Sequence, residues 1–288
     1  MDNQKIYFIT YGDSNFFLQR KHLINLARKS GLFDDCIEFT KKDISKTFIN
    51  KYKEILDSNR GGGYWLWKYF VISKTLEEIS DGDIVVYSDA GSSFNKHGSD
   101  KFKEYIKLLN MSKTGNLRFK MEYIENEWTT KEIFEYFNID LNSDYGNSGQ
   151  LHATHMLFKK NKNTEKIFLE FKKLLEFNPS LITDKYNDNQ SKGFVDNRHD
   201  QSIFSILSKK YGYVEISPDE TCSSVILNNQ DLYPFISTRR RYTFWEKIRF
   251  ILLYFYHINQ TVFFNQKDFW YQKPSLYERI LYKFSKSK

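Results

Sequence analysis

The chain has 288 residues, of which 40% are hydrophobic and 18% aromatic, and these proportions describe a folded protein rather than a disordered one. Its net charge of +7 is unevenly distributed, because residues 239–288 carry +8 and residues 1–238 carry −1. A neutral body argues against a general nucleic-acid binder, so no nucleic-acid partner is expected. Neither a signal peptide nor a transmembrane helix is expected, since the basic and long apolar stretches that define them are absent from the sequence.

Strands and helices are predicted to alternate along the first third of the chain. Apolar runs bounded by turn residues predict strands, and apolar residues at helical spacing predict helices. This alternation is typical of an α/β sheet flanked by helices. Ligands on such sheets bind beyond the carboxyl ends of the strands. The predicted elements are strands at 5–10, 36–39 and 83–88 and helices at 16–30, 43–58 and 64–79.

The second half of the chain continues the pattern with longer connections. The polar segment 178–197 is predicted as a loop, and long loops in compact domains are often functional. His152 and His155 are three residues apart in a predicted strand, so they are expected on opposite faces and without a shared metal. The predicted elements are strands at 117–123, 151–158 and 213–216, helices at 164–177 and 199–210, and separate amphipathic helices in the tail 239–288.

The first candidate site residue is Asp89, which directly follows the buried strand 83–88. One interpretation is a turn residue or helix N-cap. The other is a carboxylate that faces the diphosphate of a nucleotide sugar, directly or through a hard cation. Ala90 and Gly91 come next, and their small side chains would let a ligand approach the backbone closely.

The second candidate carboxylate is Asp200, in the string His-Asp-Gln-Ser that opens a predicted helix. It is either an N-terminal helix residue or a carboxylate entering the same cleft as general base, nucleophile or metal ligand. Its neighbours His199 and Gln201 are expected on the acceptor or phosphate side. For His199, a metal ligand, a phosphate donor and a structural histidine all stay open.

A glycine-rich and aromatic stretch, GGGYWLWK, occupies residues 61–68. It lacks the GxxxxGK[ST] spacing, which excludes P-loop chemistry, and the three glycines are expected to form a flexible link. Trp65 and Trp67 are two apart and should face different ways on a helix. Both rings pack in the core, or one of them stacks on a sugar or base while Lys68 pairs with a phosphate.

The end of the first predicted strand carries the string TYGDS. It is either a plain turn or a segment whose backbone and carboxylate hold the nucleobase or ribose of a donor. In the second case the donor-binding residues are Thr10, Tyr11, Gly12 and Asp13.

Taken together, these strings resemble a family of bacterial glycosyltransferases from capsule and O-antigen gene clusters. Typical strings of that family are a TYGD-like start, GYW-x-WKP, Y-x-DAG and HDQS. The resemblance covers roughly residues 5–215, and its most specific parts are GYW-x-WK and DAG, with Tyr69 where the family usually has proline. The strings occur here in the order FITYGDSNFF, GGGYWLWKYFVISKTL, DGDIVVYSDAGSSFN, WTTKEIF, QLHATHMLFKKN and NRHDQSIFSIL.

The resemblance implies a GT-A-like fold, a mixed sheet flanked by helices, in a domain spanning residues 1–238. In such folds an Asp-x-Asp motif after a central strand holds a divalent cation, Mn²⁺ or Mg²⁺, on the donor diphosphate. Asp89 matches the first acidic position, and Gly91 replaces the second, which puts metal dependence in doubt. The similarity of the HDQS string to a segment of GT-A enzymes supports placing Asp200 in the cleft.

The expected function is therefore transfer of a hexose-type sugar from a UDP-sugar to a hydroxyl of a lipid-linked or growing surface polysaccharide. Lys68 would compensate the charge of the leaving group. The basic tail, residues 239–288, is expected to attach the protein to an anionic membrane, which predicts a cytoplasmic protein peripheral to the inner membrane face. The alternative is a non-catalytic glycan- or nucleotide-binding module related to such enzymes.

Overall fold

The structure is a computed structural model that describes residues 4–221 and 232–237. Strands and helices alternate through most of this part of the chain. The strands are β1 (Ile6–Tyr11), β2 (Asp35–Phe39), β3 (Ile84–Ser88), β4 (Ser93–Phe94), β5 (Asn116–Ile124), β6 (Gly149–Lys159), β7 (Val214–Ile216) and β8 (Phe235–Ile236). The helices are α1 (Phe17–Ser30), α2 (Lys46–Lys51), α3 (Lys53–Leu56), α4 (Gly61–Tyr64), α5 (Leu66–Glu78), α6 (Ser99–Met111), α7 (Glu125–Trp128), α8 (Lys131–Tyr136), α9 (Asp144–Asn147), α10 (Lys162–Phe177) and α11 (Asp200–Tyr211).

The central sheet has the strand order β2-β1-β3-β6-β5-β7. Strands β1, β2 and β3 are mutually parallel, β6 runs antiparallel to both β3 and β5, and β5 is parallel to β7. The carboxyl ends of β1, β2, β3 and β5 therefore share one edge of the sheet, where β6 begins. A second, short pairing joins β4 to β8.

Both faces of the central sheet are covered by apolar packing. One buried cluster contains residues of α5, α10 and α11, and the other contains residues of α1 and α6. Strand β3 is buried along its whole length because it lies in the middle of the sheet with helices on both sides. The predicted fold class, a mixed α/β sheet flanked by helices, is confirmed.

Two local predictions differ from the structure. The predicted helix 43–58 is two short helices, α2 and α3, separated at Tyr52, whose backbone is not helical. The predicted helix 64–79 begins only at Leu66. The tail predictions for 239–288, and the domain boundary at 238, lie outside the described residues.

The prediction that His152 and His155 lie on opposite faces of their strand is wrong. Residue Arg118 of β5 pairs with Met156 of β6, whereas Lys120 pairs with Leu151, so β6 bulges between these pairs. The bulge turns both histidine rings to one side, where their centroids are 5.7 Å apart and both lie near Phe119. Both are buried, and burial lowers the pKa of His155 to about 3.

Among the described residues, no helix combines the length and the apolar character that a bilayer span requires.

Candidate active site

Two carboxylates from distant parts of the chain meet on one buried lysine. The Lys68 Nζ atom lies 2.8 Å from an oxygen of Asp200 and 3.2 Å from Asp89 Oδ1. Lys68 comes from the first turn of α5, Asp89 follows β3, and Asp200 is the first residue of α11. The Asp89 side chain remains 30% exposed, whereas those of Lys68 and Asp200 are almost fully buried. The centre is therefore open to solvent on the Asp89 side.

The surrounding backbone holds Asp89 at the sheet edge. Its N–H donates to the carbonyl of Thr154 on β6 at 2.9 Å, and its own carbonyl accepts from Ser92 N at 2.9 Å. The second bond closes the tight turn that contains Ala90 and Gly91. Asp89 is thus fixed by the sheet on one side and by a compact turn on the other.

The charges of this centre depend on one another. Burial raises the pKa of Asp200 to about 6, although the ammonium of Lys68 pulls in the opposite direction. Burial alone would lower the pKa of Lys68, but attraction to Asp200 and Asp89 prevails and raises it. Lys68 therefore stays protonated at neutral pH, and Asp200 titrates closest to neutrality.

Lys68 is engaged by groups of the protein itself. Its Nζ also donates to the carbonyl of Ala153 at 3.1 Å, so three acceptors surround its three N–H donors. The cation binds the two carboxylates to each other and to β6. The ammonium is thus paired within the protein, and the expectation that Lys68 compensates leaving-group charge stays a prediction.

A half-open pocket of about 330 Å³ lies at the carboxyl ends of β1 and β2. Tyr11, Asp13 and Gly62 line it, and all three belong to strings that were singled out in the sequence. Asp13 also accepts hydrogen bonds from the backbone N–H groups of Asn15 and Phe16, which fixes its carboxylate at the pocket wall. The other lining residues are Asn15, Lys41, Ile44, Ile49, Leu56, Asp57, Ser58 and Asn59.

Of the four residues predicted to hold the donor at the end of β1, Thr10 and Gly12 do not line this pocket. The Thr10 side chain is fully buried, because β1 lies between β2 and β3 and its last four residues are all buried. The backbone of Gly12 is engaged within the protein, since its N–H donates to Phe39 and its carbonyl accepts from Arg20. These two residues therefore lie behind the residues that line the pocket.

The two tryptophans face different ways, as predicted, and each ring packs on another protein ring. Trp67 stacks on Tyr11 with the centroids 4.0 Å apart and donates from Nε1 to the carbonyl of Gly61. Trp65 stacks on His199 with the centroids 5.2 Å apart. The core-packing interpretation therefore describes both rings, and Trp67 acts on the pocket only through Tyr11.

The glycine stretch is a defined turn rather than a flexible link. Five consecutive residues, 61–65, have positive φ angles, so the chain makes one left-handed turn. A Cβ atom on Gly63 would lie 2.7 Å from the Cα atom of Leu56, and its φ of 102° is unfavourable for any other residue. This turn sets the start of α5 and thereby the position of Lys68.

His199 and Gln201, expected on the acceptor or phosphate side, both point into the protein. His199 Nδ1 donates to the Ile182 carbonyl at 3.0 Å, and its Nε2 accepts from Arg60 at 3.1 Å, so both ring nitrogens are used. Burial lowers the pKa of His199, which keeps the ring neutral. Gln201 accepts from Ala153 N and donates to Gln150 at 2.6 Å. Both side chains position Asp200 from the protein side.

The residues around Asp89 do not form a site built for a divalent cation. The second position of the Asp-x-Asp motif is Gly91, which has no ligand atom in a side chain. Asp89 Oδ1 already accepts from Tyr87 at 2.6 Å and lies near the Lys68 ammonium, whose charge repels a second cation. Across residues 4–221 and 232–237, no group of three or more acidic, histidine or cysteine side chains is arranged to hold a metal.

The sequence reasoning missed several residues that support the centre. Tyr87 lies two positions before Asp89, near the end of β3, and its hydroxyl donates to Asp89 Oδ1 at 2.6 Å. Arg118 is fully buried in β5 and donates to the carbonyl of His152 at 3.0 Å. The sequence offered no signal for Arg118, because β5 alternates polar and apolar residues from Asn116 to Tyr123 and Arg118 falls on a polar position.

Comparisons with known proteins give remote structural likenesses. No protein-family model and no curated protein matches the sequence. A glycosyltransferase involved in glycosylation of the major capsid of PBCV-1 is 9% identical, with a TM-score of 0.44 over 81% of this chain and 93% of its own. The bifunctional glycosyltransferase WbbM is 11% identical, with a TM-score of 0.49 over 81% of this chain and 45% of its own. The galactosyltransferase LgtC, solved with donor and acceptor sugar analogues, is 11% identical, with a TM-score of 0.44 over 91% of this chain and 99% of its own.

Proposed function

We propose that this chain is a GT-A-type glycosyltransferase that uses a nucleotide-sugar donor. The observation that carries the proposal is the convergence of Asp89 and Asp200 on Lys68, at the sheet edge where the pocket beside β1 also opens. Sheets of this kind bind ligands at that edge. The proposal places the nucleoside in the pocket, between Tyr11 and Asp13, and the reacting sugar beside the two carboxylates.

Asp200 has the properties of a general base for the acceptor hydroxyl. Its pKa of about 6 lies close to neutral pH, where a base is both deprotonated and able to accept a proton. Lys68 and the neighbouring backbone hold its carboxylate in place before substrate binds. In this proposal the hydroxyl oxygen attacks the anomeric carbon, its proton passes to Asp200, and the nucleoside diphosphate leaves.

Asp89 is the exposed member of the pair and faces the space between the pocket and Asp200. Its contacts with Tyr87 and Lys68 run through Oδ1, and its side chain is 30% exposed. We assign it to orienting the donor sugar near its diphosphate.

A hexose donor carried by UDP and a lipid-linked or polysaccharide acceptor are the finer parts of this proposal. They come from the resemblance of the sequence strings to the capsule and O-antigen enzymes.

The test is a thermal-shift screen of the full chain against UDP-, GDP-, CMP- and dTDP-sugars, with and without Mn²⁺. One nucleotide class should stabilise the protein, and Asp13→Ala should weaken that effect because Asp13 lines the pocket. Donor turnover, measured as release of the nucleoside diphosphate, should be lost in Asp89→Asn and Asp200→Asn. Near-normal turnover in both variants would exclude the assigned roles.

A non-catalytic binding module is the second candidate function. It is favoured by one specific observation, the replacement of the second motif carboxylate by Gly91. Such a module would show saturable nucleotide-sugar binding in the thermal-shift screen and no release of nucleoside diphosphate. The two functions therefore differ in turnover, and not in binding.

A further inference from the structure

A rigid aromatic surface stands at the carboxyl end of β5, formed by Tyr123, Trp128 and Arg198; we refer to it as the aromatic platform. The Tyr123 and Trp128 rings meet edge to face with their centroids 5.3 Å apart. The Arg198 guanidinium lies 4.4 Å from the Tyr123 centroid and 4.1 Å from that of Trp128. Tyr123 is nevertheless 45% exposed, so a large part of its side chain stays accessible to a ligand beside Arg198.

The platform is anchored directly to the helix that begins with Asp200. The carbonyl of Trp128 accepts from Ser202 Oγ at 2.8 Å and from Arg198 N at 3.2 Å. Arg198 precedes Asp200 by two residues, and Ser202 follows it by two. Because these bonds fix the aromatic rings relative to the start of α11, the platform and Asp200 form one rigid unit.

The strand order sets where the platform lies relative to the other parts of the site. The pocket opens at β1 and β2, Asp89 follows β3, and Tyr123 lies near the end of β5. Strands β3 and β5 are separated only by β6, so they lie about 10 Å apart at ordinary strand spacing. The pocket and the platform are thus on opposite sides of Asp89, and the distance suits a short saccharide.

The chemistry of the platform suits a sugar ring better than a charged ligand. An exposed tyrosine offers a flat apolar face and a polar hydroxyl tip, and a pyranose offers an apolar C–H face with polar hydroxyls at its rim. Gln201 of the Asp200 segment also contacts Met121, two residues before Tyr123 in β5. This contact is a second link between the strand that carries Tyr123 and the segment that carries Asp200.

We propose that Tyr123 and Trp128 form the acceptor-saccharide subsite, with the exposed part of the Tyr123 ring stacked on a sugar ring of the acceptor. This inference rests on the proposed glycosyl transfer and adds the position and the chemical class of the acceptor. The nucleoside, the two carboxylates and the acceptor sugar then follow one another along the sheet edge in the order of the strands.

The experiment uses the full chain and two separate probes. Saturation-transfer NMR with methyl α- and β-pyranosides of glucose, galactose, mannose and N-acetylglucosamine reports contact with a sugar ring. A thermal shift with UDP reports the nucleoside pocket. The variants are Tyr123→Ala, Tyr123→Phe and, as a control, Phe177→Ala, which removes an exposed ring that pairs with Tyr136 at the end of α10.

The expected result is contact with at least one glycoside through its C–H face, about tenfold weaker in Tyr123→Ala and retained in Tyr123→Phe and Phe177→Ala. The UDP shift should be the same in all four proteins. Absence of glycoside contact with the unmodified chain, or full contact in Tyr123→Ala, would overturn the subsite. If Tyr123→Ala loses both the UDP shift and the glycoside contact, the subsite is also overturned, since the substitution would then have disturbed the fold. Glycoside contact without any UDP shift in the unmodified chain would instead count against a UDP-sugar donor and would leave the subsite standing.

Discussion

At the scale of single residues, the most informative group is the buried carboxylate of Asp200. Its pKa of about 6 lies above that of an aspartate in an unfolded chain, so the folded state binds its proton more tightly. Between about pH 4 and pH 6 this group therefore lowers stability as the pH rises, by about 2–3 kcal/mol in all. A buried carboxylate that lowers the stability of the fold is expected at a functional site.

Replacing Asp200 by Asn should abolish donor turnover and flatten this part of the stability profile. Asparagine keeps the shape of the side chain but cannot accept the proton or titrate. Urea unfolding at several pH values between 4 and 7 measures the profile, and the change should be confined to the window between about pH 4 and pH 6. Asp100→Asn is the control, because that side chain is 95% exposed and should leave the profile unchanged. An unaltered profile in the Asp200 variant would show that its carboxyl titrates normally.

Part of this site could be read from the sequence, because strand ends are local features. Asp13 and Asp89 each follow an apolar run, and the pattern placed both at one sheet edge. The partner of the carboxylates could not be predicted, since only the folded chain shows that Lys68 reaches Asp200 and Ala153. Polar contacts between distant segments leave no periodicity to detect.

At the scale of elements, the left-handed turn before α5 sets where Lys68 stands. Gly63→Ala should destabilise the protein by about 3 kcal/mol or more, because the new methyl group would collide with the Leu56 backbone at an unfavourable φ. Gly31→Ala is the matched control, since Gly31 also has a positive φ but has open space around its Cβ position. It should cost only the backbone term, about 1 kcal/mol. Equal losses for the two variants in chemical unfolding would mean that close packing at Gly63 is unimportant.

A second element-scale feature is a buried ion pair that joins α7 to α11. Glu125 and Lys209 approach to 2.8 Å, and both side chains are buried. Gln150 of β6 donates to Glu125 at 3.0 Å and accepts from Gln201, which links the pair to the residue after Asp200. The pair therefore ties together the three elements that surround the carboxylate centre.

Glu125→Gln should destabilise the protein by about 3–5 kcal/mol, because it leaves the Lys209 ammonium buried without a counter-charge. Adding Lys209→Met should restore most of that loss, since the double variant buries no unpaired charge. The free energy of unfolding of both variants completes the cycle. If the second substitution deepens the loss, the ion pair is not what holds these elements together.

Elements that form through local interactions were predicted better than elements that depend on contacts with distant segments. The six strands of the central sheet and the helices α1, α10 and α11 were predicted close to their observed bounds, because burial of one face imposes a local period. The bulge in β6 and the turn at residues 61–65 were not, because each exists to fit a neighbouring segment. Both lie at the candidate site, where the geometry of the site outweighs the local sequence preferences for strand and helix.

At the scale of the whole molecule, the buried charged side chains neutralise one another, whereas the net charge is unevenly distributed along the sequence. The buried centre and its supports contain three carboxylates and three cations, which neutralise one another. The carboxylates are Asp89, Asp200 and Glu125, and the cations are Lys68, Arg118 and Lys209. The charge that is free to act at a distance is therefore the +8 of residues 239–288.

That imbalance predicts binding to anionic vesicles through the tail. Arg239, Arg240 and Arg241 are consecutive, and replacing all three by Gln removes three positive charges from the full chain. At about 1 kcal/mol per basic residue near an anionic surface, affinity for phosphatidylserine vesicles should fall about 100-fold. The matched control replaces Lys103, Lys107 and Lys113 by Gln, which removes the same charge from the exposed surface on and after α6. If attraction depended on net charge alone, both triple variants would lose affinity equally in vesicle sedimentation, and the tail would have no special role. Attachment by the tail instead requires that only the arginine variant dissociate from the vesicles. Added salt should also release the unmodified chain from the vesicles, because salt screens the same charges.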